Sequence, residues 1–173
     1  MDAFLKGEFV KPGKCPHIIG SRNLYHRAFF GPYIAALESR LRQHPEARCI
    51  GTNGPGTAAA LLELRNFAYF IETDHTAWDL HVSTPLLEAI NRQYSRIFKV
   101  PPEDKVYFEA VLRSYLKTTW KYRNGVKYTL RGTRVSGDVD TTVGNTMLHI
   151  ALNRCVAALS GIRPDHFAQR CKG

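Results

Sequence analysis

Long apolar runs are missing from this chain. None approaches the roughly eighteen residues a membrane-spanning helix needs. The opening Met1-Asp2-Ala3-Phe4-Leu5-Lys6 also lacks the apolar stretch of a secretory signal. Cysteine is scarce and dispersed: Cys15, Cys49, Cys155 and Cys171 form no Cys-x-x-Cys pair, which argues against a zinc site and against a disulfide framework. The seven histidines are scattered in the same way. No internal repeat and no low-complexity stretch interrupts the pattern. Negative charge is short, with 15 Asp and Glu against 24 Lys and Arg, a net charge of +9 over 173 residues. Such an imbalance favours polyanionic partners: nucleic acid, nucleotides or an anionic membrane surface. Hydrophobic residues at 44% and charged residues at 23% place the chain among ordinary globular proteins rather than disordered ones. The expectation is a soluble, intracellular protein with one real core, or a piece of something larger.

What is present reads as mixed α and β. The segment to Arg22 is extended and basic, punctuated by Pro12, Gly13, Pro16 and Gly20. Phe30, Ile34, Leu37 and Leu41 repeat at helical spacing and predict a helix over 27–42. Gly51-Thr52-Asn53-Gly54-Pro55-Gly56 reads as a loop, with Thr57 capping a helix that faces inward through Leu61, Leu64, Phe67 and Ala68. Tyr69-Phe70-Ile71 predicts a buried strand ending at Asp74. Thr84-Pro85 starts a helix with Leu87, Ile90, Tyr94 and Ile97 on its inner stripe. Pro101-Pro102 precedes another, buried through Phe108, Val111, Leu112 and Tyr115. Asn124-Gly125 between short alternating segments predicts a β-hairpin. Val143, Met147, Ile150 and Leu159 mark a long helix that Gly161 stops.

Four segments carry chemistry. Asp74 and Asp79 stand five apart, just after the predicted strand, where a carboxylate is well placed to hold Mg²⁺; on the spacing alone a solvated turn is the commoner explanation. Ser136-Gly137 opens the last helix with a turn that a nucleic-acid strand can approach closely. Thr141 and Asn145, four apart on one face of that helix, offer hydrogen-bonding groups of the kind that read a ribose hydroxyl, though taken alone the segment reads first as a capped helix start with a polar outer face. From Ala110 to Gly137 there are seven cations and no acid: Arg113, Lys117, Lys121, Arg123, Lys127, Arg131 and Arg134, interleaved with Tyr115, Trp120, Tyr122 and Tyr128. Cations for phosphates and rings for bases suit a single-stranded nucleic acid, though a solvated basic hairpin has the same composition. Lys6, Lys11, Lys14 and Arg22 sit on the Pro-punctuated ribbon and suit a triphosphate.

Taken in order, these segments resemble the RNA-directed RNA polymerases of positive-strand RNA viruses, most closely the tombusvirus-like group. Asp74-His75-Thr76-Ala77-Trp78-Asp79-Leu80-His81-Val82-Ser83 is similar to that group's motif A. Arg134-Val135-Ser136-Gly137-Asp138, then Thr141 and Gly144-Asn145, is similar to its motif B. Phe4-Leu5-Lys6-Gly7-Glu8, Lys11-Pro12 and Pro16-His17-Ile18-Ile19-Gly20-Ser21-Arg22 resemble the basic motif F. The resemblance implies an α/β chain of the α+β type. It implies a right-hand polymerase with partial fingers over 1–66 and an incomplete palm over 67–173, where 99–134 forms a fingers-side insertion and hairpin. It implies that Asp74 binds a catalytic Mg²⁺ or Mn²⁺ in two-metal nucleotidyl transfer. Asp79 and Asn145, helped by Ser136, Gly137 and Thr141, would recognise the ribose 2′-hydroxyl. Lys11, Lys14 and Arg22 would meet the triphosphate or template, and Lys121, Arg123, Lys127, Arg131 and Arg134 would bind RNA.

The implied partners are an RNA template and nascent strand, nucleoside triphosphates, and a C-terminal palm and thumb of the same reading frame. The implied location is the host cytoplasm, including membrane-associated replication sites. Two departures stand out. His17 occupies a place where the group usually has arginine, and there is no Gly-Asp-Asp; the only later acid is Asp165. On this pattern Gly173 would open motif C and His166 to Lys172 would form its first strand, irregular without a partner. The competing reading is a non-catalytic RNA-binding module derived from a polymerase.

Overall fold

The computed structural model describes residues 2–7, 9, 11–13 and 18–171. Lys14 and His17 of the basic ribbon, and Gly173, lie outside the described residues. The chain divides into two compact units, each discontinuous in sequence: 1–32 with 77–141, and 33–76 with 142–173.

The first unit is α+β. Strands β1 (Asp2–Leu5) and β2 (Ile18–Ser21) are antiparallel, and β1 runs parallel to β3 (Lys117–Lys121), which pairs antiparallel with β4 (Lys127–Arg131). The sheet order is β2-β1-β3-β4. The β3–β4 hairpin turns at Asn124-Gly125, as the sequence predicts, with Gly125 at φ +86°. Along β3 the side chains alternate, with Thr118 and Trp120 buried and Lys117, Thr119 and Lys121 exposed. Ala3, Trp120 and Val135 form one small core, flanked by Tyr122 and Tyr128.

The main core of this unit is aromatic. Helix α1 (Leu24–Leu41) begins in it, and Phe30 is fully buried among Tyr94, Phe98, Phe108 and Tyr115, with ring centroids 5.8 to 6.3 Å away. The neighbours come from α4 (Thr84–Ile97) and α5 (Lys105–Leu116), whose inner faces are the predicted ones with one exception. Ile97 is exposed, because the helix ends there and the chain turns at Phe98, which takes the inner place. Ser83 rather than Thr84 occupies the N-cap of α4, and Pro85 stands in its first turn. A four-residue turn of helix, α3 (Trp78–His81), precedes it, entered through Ala77 at φ +52°.

The second unit is helical: the remainder of α1, α2 (Gly54–Leu62) and α6 (Thr141–Leu159). Asn53 rather than Thr57 caps α2, its Oδ1 accepting from the Gly56 amide at 3.1 Å; the Thr57 hydroxyl meets that of Thr52 instead. Proline at the second position makes the earlier start possible, since its missing N–H would be unpaired there anyway. The buried strand expected at 69–71 does not form. Tyr69 and Ile71 are 92% and 90% exposed, and residues 69–75 adopt no regular structure. A strand needs neighbours for its backbone groups, and no described segment pairs with this one.

Segment 167–171 is irregular but not frayed. The Cys171 amide donates to the Glu46 carbonyl at 2.7 Å, and the Gln169 amide group donates to the Glu46 carboxylate at 2.8 Å. Arg154 adds an ion pair to that carboxylate. This polar anchor, invisible in a weakly alternating sequence, holds the segment in place.

Candidate functional site

Two backbone hydrogen bonds in the first unit bring the segment after Asp79 against the segment before Ser136. The Arg134 amide donates to the Asp79 carbonyl and the Thr133 amide to the Val82 carbonyl, both at 2.8 Å. Thr133 reaches its position at φ +67°, a conformation a threonine rarely holds without compensation. The result aligns two side chains far apart in sequence: the Ser136 hydroxyl donates to Asp79 Oδ2. Both residues are half-buried, so the pair is reachable from solvent. A carboxylate oriented by a hydroxyl is a fixed acceptor for a hydroxyl of a ligand.

The Thr141 hydroxyl, in the same unit, donates to the carbonyls of Val135 and Asp138, at 3.0 and 2.9 Å. It shapes the turn at the start of α6 from within. Gly137 lies in that turn at φ +112°, open to solvent on one side. On the other side a Cβ would overlap the carbonyl oxygen of Gly20.

Asp74 and Asn145 belong to the second unit. Asp74 is exposed in the irregular stretch, and Asn145 is buried on α6. Among the described residues no group of three or more His, Cys, Asp or Glu is gathered closely enough to hold a metal ion. His75 packs against His149 with ring centroids 4.9 Å apart, and burial followed by the neighbouring His75 lowers the pKa of His149.

Two cations expected to meet ligands are turned inward. Arg22, read as a triphosphate or template contact, has a side chain only 9% exposed. Its Nε and Nη2 donate to the two oxygens of Asp138 at 2.6 and 3.1 Å, and Nη1 donates to the Ser114 hydroxyl at 3.0 Å. The guanidinium carbon also sits 4.3 Å from the centre of the Tyr115 ring. Arg134, read as an RNA contact, is 1% exposed and pairs with the equally buried Asp140 at 2.6 Å, which also accepts from the Tyr94 hydroxyl at 3.0 Å. Burial excludes Arg134 from solvent, so RNA on the surface cannot reach it.

The acids of these pairs were missed in the sequence, although a signal existed. Asp138 and Asp140 are the only carboxylates between 110 and 164, in the most cationic part of the chain. The other predicted cations, Lys121, Arg123, Lys127 and Arg131, are exposed on the hairpin, and Lys11 is exposed on its ribbon.

A model of the viral RNA-dependent RNA polymerase family matches residues 66–165, more than half of the chain. The chain belongs to this family. The matched stretch contains Asp74, Asp79, the basic hairpin and the Ser136 turn. Among curated relatives, the RNA-directed RNA polymerase of groundnut rosette virus (strain MC1) is 28% identical over 187 residues, covering 94% of this chain and 21% of that protein. The RNA-directed RNA polymerase of Pothos latent virus (isolate Pigeonpea/India) is 26% identical over 164 residues, covering 86% and 22%. The chain thus spans about a fifth of the length of these polymerases. Among the described residues, no helix is long and apolar enough to cross a membrane.

Proposed function

We propose that this chain carries the ribonucleotide-selecting part of a viral RNA-directed RNA polymerase, within a partial fingers region over 1–66 and a palm region over 67–173. The observation that supports this best is the Ser136–Asp79 hydrogen bond inside the segment matched by the family. In this reading Asp79 accepts from the ribose 2′-hydroxyl, Ser136 holds its carboxylate in place, and Asn145 completes the recognition. Gly137 lets the strand approach the backbone, and Thr141 sets the turn. A polar site built around a hydroxyl rejects the analogue lacking it, because its own groups are then left unpaired.

Asp74 would contribute one carboxylate to a Mg²⁺ or Mn²⁺ ion, which supplies charge neutralisation in nucleotidyl transfer. Lys11, and Lys14 from outside the described residues, would meet the triphosphate. Exposed Lys121, Arg123, Lys127 and Arg131 would track the template or nascent strand. Replication sites in the host cytoplasm fit such a role.

Titration calorimetry of the purified chain with ribo- and deoxyribonucleoside triphosphates in the presence of Mg²⁺ tests the reading. The ribonucleotide should bind tighter, and Asp79→Ala and Asn145→Ala should each shrink that preference. Equal binding of both sugars by the unaltered chain would refute it. A second reading, a non-catalytic RNA-binding module, is favoured by the exposed cationic hairpin alone. It predicts RNA binding with no triphosphate binding at all.

A further inference from the structure

We infer that Arg22 is a positioning residue: together with the backbone of Gly20 it fixes the 135–138 turn, and so sets the place of the Ser136 hydroxyl. This inference rests on the ribonucleotide-selecting role proposed for Ser136 and Asp79. It removes Arg22 from the triphosphate contacts and gives it a different task.

Strand β2 meets the turn at three points. The Gly20 amide donates to the Ser136 carbonyl at 3.1 Å. Gly137 passes so close to the Gly20 carbonyl that no side chain fits between them. Gly20 in turn has no room for a Cβ, which would lie 2.7 Å from Val135 and 2.8 Å from Trp120. Two backbones crossing this closely hold each other's register. Arg22, two residues beyond Gly20, then closes the junction from below with its paired bonds to both oxygens of Asp138, the residue after Gly137.

Arg22 is itself held. Nη1 donates to the Ser114 hydroxyl at 3.0 Å, Nη2 donates to the Thr118 hydroxyl at 3.4 Å as well as to Asp138, and the Tyr115 ring lies against the guanidinium. Ser114, Tyr115 and Thr118 come from the end of α5 and from β3. One guanidinium therefore joins β2, α5, β3 and the turn. A planar fork with five donors suits such a junction, and an ammonium does not. An arginine engaged on both carboxylate oxygens and 9% exposed has no face left for a phosphate.

The test uses the full chain as Arg22→Ala and Arg22→Lys, with Ser136→Ala for comparison. Two quantities are measured: hydrogen exchange of the Gly20 amide by NMR, and the ratio of ribo- to deoxyribonucleotide binding. Circular dichroism checks that each variant is folded. With Arg22→Ala, the Gly20 amide should exchange faster and the sugar preference should fall about tenfold, the size of one lost hydrogen bond. Arg22→Lys, keeping one bond to Asp138, should fall between, and it decides the matter if Arg22→Ala does not fold. Ser136→Ala should lose the sugar preference with Gly20 exchange unchanged.

If Arg22→Ala leaves both quantities as they were, the inference is wrong. It is also wrong if that variant weakens both sugars equally with exchange unchanged, since Arg22 would then touch the triphosphate. Absence of any sugar preference in the unaltered chain would defeat the selecting role instead, and the exchange measurement would still judge the positioning.

Discussion

Asp138 and His26 are two buried titratable groups of the first unit, and their protonation acts on stability in opposite directions. Burial pushes the Asp138 carboxyl up to about 6, against the pull of Arg22. Burial, and then the charge of Arg22, push His26 down to about 4. In the unfolded chain the ordinary values are about 3.9 and 6.5. The Asp138 contribution is thus full below about pH 4 and is lost as pH rises through 6, whereas that of His26 is full above about 6.5 and is lost as pH falls through 4. Between these limits they offset. Asp138→Asn removes one side, so the variant should lose stability on acidification from roughly pH 6 to 4 more steeply than the unaltered chain. Urea midpoints across that range check this, and parallel curves would contradict it. Arg134 is a simpler case. Removing it leaves the buried Asp140 without its ion-pair partner, so Arg134→Ala should cost about 3–5 kcal/mol in urea unfolding.

The hairpin and the Ser136 turn are the elements where sequence and structure meet most closely. Three exposed cations on the hairpin, Lys121, Arg123 and Lys127, predict a measurable salt effect. Replacing them by Ala should reduce the slope of log affinity against log salt for single-stranded RNA by about 2, at roughly 0.7 for each phosphate no longer neutralised. An unchanged slope would leave the hairpin as a solvated surface. At the turn, Gly137→Ala should destabilise the fold by about 1–3 kcal/mol, because φ +112° and the nearby Gly20 carbonyl both oppose a Cβ. The hairpin, α4 and α5 are legible because each carries its own local signals: Asn-Gly, a proline start, or an apolar stripe at helical spacing. Helix α6 forms and stops at Gly161 as expected, but of its expected stripe only Val143 is buried. Met147 and Ile150 are half-buried and Leu159 is 88% exposed, while Leu148 and Ala157 turn inward instead. The Ser136–Asp79 pair was legible only through resemblance, since 57 residues separate its members. What could not be read depends on distant partners. The 69–71 segment has a strand's composition but lacks described neighbours. Arg22 and Arg134 look like surface cations until Asp138 and Asp140 are folded against them.

At the scale of the molecule, a net charge of +9 favours the binding of polyanions, single-stranded RNA among them. Asp74, exposed and outside the cationic hairpin, should matter little to that affinity. Asp74→Ala is expected to leave RNA binding by gel shift nearly unchanged, and a large drop would relocate the RNA path. The 173-residue chain contains no Gly-Asp-Asp, so by itself it should not extend a primer; product on a primed template would overturn that expectation. The rings beneath the sheet have an optical consequence. Trp120 lies parallel to Tyr128, 5.7 Å away with 9° between planes, and Tyr122 stacks on Tyr128 in turn. Excitation absorbed by these tyrosines should pass to the indole, keeping their own emission dark while the two strands stay paired. Recovery of tyrosine fluorescence would then signal the parting of β3 from β4 without any added label.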